Sequence, residues 1–242
     1  MAHPIEPGVF ITFEGGDGSG KTTHINFLAR ALRDQGREVV CLREPGGTSV
    51  GEQLRDIVLN PDNVAIGDRT ELLLYEAARA QLVDEVIKPA LERGAIVLCD
   101  RFVDSTSAYQ GYGRGINIDF VNQANLFAAD DAMPQRTVLI DAQEDVTVAL
   151  ARATEGRDGD RMERAGIDFH ERVVDAYARI AAACPERVRV VACQPTKSQT
   201  ARLVFQAVAD VVGWDCENLP FDEEFFLQAD DIHSDNKATG GM

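Results

Sequence analysis

The chain has 242 residues, 40 Asp plus Glu against 24 Lys plus Arg, and a formal net charge of −16. That length suits one large α/β domain or two small ones, with a core that needs neither disulfides nor a structural metal. The acidity excludes a protein that coats a nucleic-acid polymer, which needs a basic stripe; a small anionic substrate needs only a local cluster of Arg and Lys.

The charge is unevenly spread. Residues 215–242 hold eight acids and one Lys, a net −7, which leaves −9 on residues 1–214. The first eight residues are polar and contain Pro, unlike a secretory leader, and no run nears the ~18 apolar residues of a membrane span. Cys41, Cys99, Cys184, Cys193 and Cys216 form no CxxC pair. The expectation is a cytoplasmic protein with reduced, mostly buried thiols.

In chain order, Val9–Glu14 is a short apolar strand, followed by a Gly-rich stretch and an amphipathic helix ending near Gly36. Residues 39–43 form a second strand. Residues 49–59 and 70–93 read as helices, with Pro89 a candidate kink in the second. Residues 95–100 are a third strand, 118–129 a helix, 137–141 a fourth strand and 146–153 a helix. Residues 154–166 mix Arg and Glu with Gly and read as a mobile surface loop. A helix over 169–183, a strand over 188–192 and a helix over 200–212 complete the pattern. Apolar strands alternating with amphipathic helices predict a five-stranded parallel sheet with helices on both faces. Beyond Trp214 the pattern fails. The expectation is a domain over 1–214 and a largely disordered acidic tail over 215–242.

Gly15-Gly-Asp-Gly-Ser-Gly-Lys-Thr22 matches GxxxxGK[ST] between a strand and a helix. Such a loop wraps backbone N–H groups around a phosphate at the positive end of a helix. Lys21 would reach the β- and γ-phosphates of a bound nucleotide, and the Thr22 hydroxyl would bind Mg²⁺. Gly15, Gly16, Asp17, Gly18, Ser19, Gly20 and Thr23 complete the candidate ATP site. The base-reading NKxD segment of switch GTPases is missing; Cys193-Gln-Pro-Thr-Lys follows the fifth strand.

A second cluster lies at other strand ends. Arg43-Glu-Pro-Gly-Gly-Thr48 follows the second strand. Asp100-Arg-Phe follows the third and leads into Ser105-Thr-Ser-Ala-Tyr-Gln-Gly111. Ligands of open α/β sheets sit beyond the carboxyl ends of strands, so both segments face the P-loop. Tyr75 and Arg79, four residues apart, share a helix face.

Together REPGGT, DRF, AYQG and Gly113-Arg-Gly115 resemble the thymidylate kinase (dTMP kinase) family over residues 9 to about 212, most nearly its bacterial members. The resemblance implies a P-loop kinase fold, phosphoryl transfer from ATP to dTMP, Mg²⁺ and a homodimer. It implies that Arg101, Arg43 and Arg55 hold the dTMP phosphate, with Pro45 in a cis turn at the same site. Tyr75 would stack on thymine. Arg79 would meet the pyrimidine edge, with Gln110 and Thr106, or Ser105 or Ser107 in its place. Tyr109 would crowd the 2′ position. Asp17 would meet the 3′-hydroxyl or the metal shell, and Asp100 would hold Mg²⁺ through water. Where some members carry a P-loop Arg this chain has Gly18. The loop over about 154–166 would then act as a lid, with Arg157 as catalytic finger and Arg161 on ATP. Lys21, Arg101 and Arg157 are thus the expected catalytic residues.

Two other readings stay open. One is a deoxynucleotide kinase with altered or broadened pyrimidine choice, suggested by Tyr75 and Glu76. The other is a P-loop scaffold that binds nucleotide without turnover. The aromatic, acidic tail reads either as a solubilising segment or as a docking motif for another protein.

Overall fold

A computed structural model of the chain describes residues 8–232. Strands β1 (Val9–Glu14), β2 (Val39–Arg43), β3 (Ile96–Asp100), β4 (Arg136–Asp141) and β5 (Val188–Ala192) form one sheet in the order β2-β3-β1-β4-β5. Every neighbouring pair is parallel, as expected for the P-loop α/β fold. The alternation of strand side chains explains the layers. Phe10, Val97 and Cys99 turn to one face, and Ile11, Phe13, Ile96 and Leu98 to the other.

The second of these faces is covered by α1 (Lys21–Asp34) and α9 (Lys197–Val212), which supply Phe27, Leu28, Val204 and Phe205. The first is covered mainly by a long helical run. It comprises α3 (Asp68–Leu82), a π-helical turn over Val83–Ile87, and α4 (Lys88–Glu92). The wider turn precedes Pro89, which lies in the first turn of α4. A residue without an N–H is thus kept out of an uninterrupted α-ladder. The remaining helices are α2 (Ser49–Leu59), α5 (Val103–Thr106), α6 (Ile118–Ala129), α7 (Val146–Ala153), α8 (Ile167–Ala183) and α10 (Glu223–Leu227). No helix among the described residues is long and apolar enough to cross a membrane.

Register positions the site. Arg43 of β2 and Phe13 of β1 both pair with Asp100 of β3, so the three strands end at one level. Everything that follows β1, β2 and β3 therefore opens onto one crevice.

Two expectations are corrected. Cys41, Cys184 and Cys216 are exposed, and only Cys99 is fully buried; β2, which carries Cys41, is an edge strand. The tail is folded over residues 215–232, while 233–242 lie outside the described residues. Phe221 and Phe225 stack at 4.4 Å. Phe225 meets Phe27 at 5.0 Å and Phe226 meets Phe205 at 5.1 Å. Asp222 caps α10 by accepting from Phe225 N at 2.9 Å. The acids face water while the aromatics cover α1 and α9, so the tail's net charge did not predict its packing.

Phe226 is fully buried. Phe226→Ala should lower the unfolding free energy by about 3 kcal/mol or more in urea titrations. A change within about 0.5 kcal/mol would return the segment to a solvated tail.

Candidate functional site

The P-loop runs from β1 into α1. Gly15 has φ 134°, and a Cβ there would lie 2.3 Å from the Ile140 carbonyl oxygen. Only glycine lets the loop turn this close to β4. Gly15 and Gly16 carbonyls accept from Lys21 Nζ at 3.1 and 2.9 Å. Burial and the Arg101 charge lower the Lys21 pKa. Gly20, in the left-handed region, precedes α1, whose first turn has neither a side-chain cap nor an acid. Those N–H groups and Lys21 form a nest suited to a phosphate.

Thr22 Oγ1 donates to Asp100 Oδ2 at 2.8 Å. A hydroxyl and a carboxylate side by side at the phosphate nest fit Mg²⁺, which takes few protein ligands and completes its shell with phosphate and water. No cluster of three or more acid, His or Cys side chains suited to a metal occurs among the described residues.

Arg101 follows β3 with φ 69°, rare for a residue with a Cβ. Its N–H donates to the Phe13 carbonyl at 2.9 Å. Its guanidinium donates to Asp17 Oδ1 at 2.6 Å and to Ser105 Oγ at 3.1 Å. It lies 5.1 Å from the centre of the Tyr109 ring, whose hydroxyl donates to Asp17 at 3.2 Å. Beneath it, Glu14 is completely buried. Glu14 accepts from Phe102 N at 2.7 Å, Ser105 Oγ at 2.5 Å and Tyr177 OH at 2.9 Å. Burial, with the Asp104 charge nearby, pushes its pKa up to about 7 despite these donors.

Across the cleft, Arg43 and Arg55 both donate to the Pro45 carbonyl, at 3.2 and 2.8 Å. The Glu44–Pro45 bond is cis. Arg43 also pairs with Glu52 at 2.9 Å. Burial and the neighbouring Arg43 charge lower the Arg55 pKa; an anion placed between these guanidinium groups would relieve that strain. Tyr75 lines the same wall. Arg79 is 1 % exposed. It donates twice to Glu44, at 2.9 and 2.8 Å, to Glu76 at 3.0 Å, to Asn125 at 2.7 Å and to Thr106 at 2.9 Å. Its fork is thus held rigidly at the cleft wall. Gln110 lines the cleft while its amide donates to Glu71 at 2.8 Å.

Thr106, Tyr109 and Gln110 share one wall because α5 continues as a π-helical turn over Ser107–Gly113. Ser105 and Thr106 both line the cleft, but Ser107 does not. Ser105 is committed to Glu14, which leaves Thr106 as the hydroxyl beside Arg79. The helical character of 103–113 was not legible in sequence, since two glycines and a π-turn obscure the 3.6-residue period.

The loop over 154–166 is more structured than its composition suggests. Asp160 Oδ1 accepts from Met162 N and Glu163 N at 2.8 and 2.9 Å, and Met162 is buried. Arg157 faces the cleft and donates to Ala153 O at 2.7 Å and Glu163 Oε2 at 2.8 Å. Arg161 departs from expectation. It pairs with Glu71 at 2.7 Å, donates to Val58 O at 2.7 Å and does not line the cleft. Glu71, buried at the start of α3, draws it away and makes it an anchor of this loop. Arg152 faces the P-loop instead, donating to Gly18 O at 2.8 Å.

These walls enclose a cleft of about 960 Å³, with the phosphate nest at one end and the arginine cluster at the other. The family model for thymidylate kinase matches residues 13–203. The chain belongs to the thymidylate kinase family. It is 49 % identical to a thymidylate kinase of Geobacter sp. (strain M21), covering 83 % of this chain and 91 % of the relative. It is 42 % identical to that of Bacillus pumilus, covering 85 % and 97 %. The crystal structure of thymidylate kinase from Ehrlichia chaffeensis aligns with TM-score 0.68 and 34 % identity, over 86 % of this chain and all of that one.

Within this family member, sequence reasoning missed Glu14 and Tyr177, and weighed Ser105 only as a stand-in for Thr106 rather than as a partner of Glu14. Only the apolar strand around Glu14, which ends on a charged residue, hinted at a buried acid. Glu14 gives a pH test. With its folded pKa raised from 4.5 to about 7, its stabilising share is complete below pH 4.5 and shrinks as pH rises toward 7. The stability advantage of wild type over Glu14→Gln should therefore fall by roughly 2 kcal/mol between pH 5 and pH 7.5 in urea titrations. A constant difference would mean that Glu14 stays ionised.

Proposed function

We infer that this thymidylate kinase family member transfers the γ-phosphoryl group of ATP to dTMP, giving ADP and dTDP. The observation that carries the reading is the facing of two anion sites in one cleft: Lys21 and α1 at one end, Arg43 and Arg55 at the other, with Arg101 between them. One phosphate at each end puts donor and acceptor in line.

The acceptor needs no general base, because a phosphate oxygen is already nucleophilic. An oxygen of dTMP bonds to Pγ as the bond from Pγ to the β–γ bridging oxygen breaks, and the electron pair leaves on ADP. Charge is the main obstacle, and fixed cations remove it. Lys21 steadies the β- and γ-phosphates. Arg101, braced by Asp17 and Ser105, sits between the two ends. Arg157 can exchange Glu163 for the transferring group, and closure over it excludes water. Thr22 and Asp100 would hold Mg²⁺, which supplies charge neutralisation at the β- and γ-oxygens.

On the acceptor side, Tyr75 offers its ring to thymine and Thr106 and Gln110 meet its polar edge, while Arg79 reaches that edge only by releasing one of its five protein partners. Tyr109 and Asp17 face the sugar. Glu76 contacts Arg79 and does not line the cleft, so it does not itself read the base. A homodimer is part of the same reading. Its support is the exposed apolar surface of α2, α3 and α6, with Ile57, Leu73 and Phe127 45, 60 and 88 % exposed.

A coupled ADP-release assay over dTMP, dUMP, dCMP, dGMP and 5-substituted dUMPs tests the substrate. dTMP should lead dCMP and dGMP in kcat/KM by about 100-fold or more, because an edge built for thymine leaves buried polar groups unpaired with other bases. A preference for another monophosphate would select the altered-specificity reading, and no turnover would select the scaffold. Arg157→Ala should lower kcat by about 100-fold or more and leave the dTMP KM within about threefold. Near-normal turnover would move the role to Arg152.

A further inference from the structure

The family match ends at residue 203, yet a residue far beyond it reaches the cleft. Ile232 lines the cleft, as do Gly20, Thr23 and Asn26 around the start of α1. It is partly buried and packs against the core formed by α1 and α9. Its position is fixed by several ties. Lys197 Nζ donates to the Ile232 carbonyl. Asp230 accepts from Ser198 N in the first turn of α9 at 2.9 Å, and Gln228 accepts from Arg30 of α1 at 2.8 Å. Behind these, Phe226 and Ala229 are fully buried. The segment over 215–232 is thus fastened to the two helices that flank the P-loop, and it delivers Ile232 to the rim.

The direction of the donor follows from the charges. Triphosphate oxygens on Lys21 and Thr22 point Pγ toward the arginine cluster. A nucleoside attached to them would leave on the opposite side, past the first turns of α1, where Thr23 and Asn26 line the cleft, beside the loop between β5 and α9. That loop abuts the P-loop, with Cys193 Sγ 3.7 Å from the Ser19 carbonyl oxygen. Ile232 stands on this exit. A purine base presents a flat apolar face there, and a branched aliphatic side chain is a suitable surface for it.

We propose that Ile232, carried by the folded segment over 215–232, is a binding residue of the donor site that packs against the nucleoside of ATP. The inference rests on the ATP-dependent reading above. It makes the C-terminal segment part of the donor-binding surface.

The test is calorimetric binding to the full-length chain, without dTMP, of a non-hydrolysable ATP analogue and of inorganic tripolyphosphate. Wild type, Ile232→Ala and Ile232→Ser are compared, with unchanged melting temperatures confirming the fold. The analogue should bind about three- to tenfold more weakly to the variants, and tripolyphosphate equally to all three. Unchanged analogue affinity overturns the inference, as does equal weakening of both ligands, which would place the effect in the P-loop. A wild-type chain that binds neither ligand overturns the donor reading itself; binding by wild type with no difference in the variants overturns the Ile232 role alone.

Discussion

The cleft depends on how Arg101 is held. A protein of net charge −16 must bring two polyanions into line, and a guanidinium between them is the most direct way to do so. That group has to be present, charged and immobile before either phosphate arrives. Its backbone occupies a left-handed conformation that an isolated residue avoids. The surroundings enforce it: the Phe13 carbonyl takes the Arg101 N–H, and Asp17, Ser105 and the Tyr109 ring take the side chain. Glu14 then fixes Ser105 and the Phe102 backbone from below. A strained backbone and a buried acid are thus two parts of one device that presets a cation.

The same logic organises the other arginines. All five N–H groups of Arg79 are taken by Glu44, Glu76, Asn125 and Thr106, so it braces the cleft wall. Arg161 is taken by Glu71 and ties the loop over 154–166 to α3. Arg43, Arg55 and Arg157 are less enclosed, and each has a carbonyl or carboxylate partner that a phosphate can displace. Arginines with locked partners shape the cleft, while those with exchangeable partners are left to meet ligand. The acidity of the chain therefore does not oppose anion binding, because much of it is spent positioning cations.

The P-loop, REPGGT and DRF were legible in sequence because each is local. A glycine pattern, a strand end and a turn lie within a few residues of one another, and their chemistry follows from that spacing. The sheet was legible because apolar strands alternate with amphipathic helices. Arg161 was misplaced because spacing along that loop cannot show that Glu71, some ninety positions earlier, competes for it. Glu14 was overlooked because its donors come from Phe102, Ser105 and Tyr177, which only folding assembles. The segment after Trp214 was misread because net charge averages over faces, while its three phenylalanines needed only one apolar groove.

Sequence alone determined the family, the sheet, the phosphate loop and the identity of nearly every cation at the cleft. These are properties of short segments, where backbone conformation and side-chain chemistry are set by near neighbours. Tertiary structure decided which arginines face the cleft, which acid lies beneath Arg101, and that residues 215–232 fold back to bring Ile232 to the cleft. Those outcomes depend on contacts between residues far apart in the chain. Burial and charge competition settle such contacts only once the core has brought the elements together.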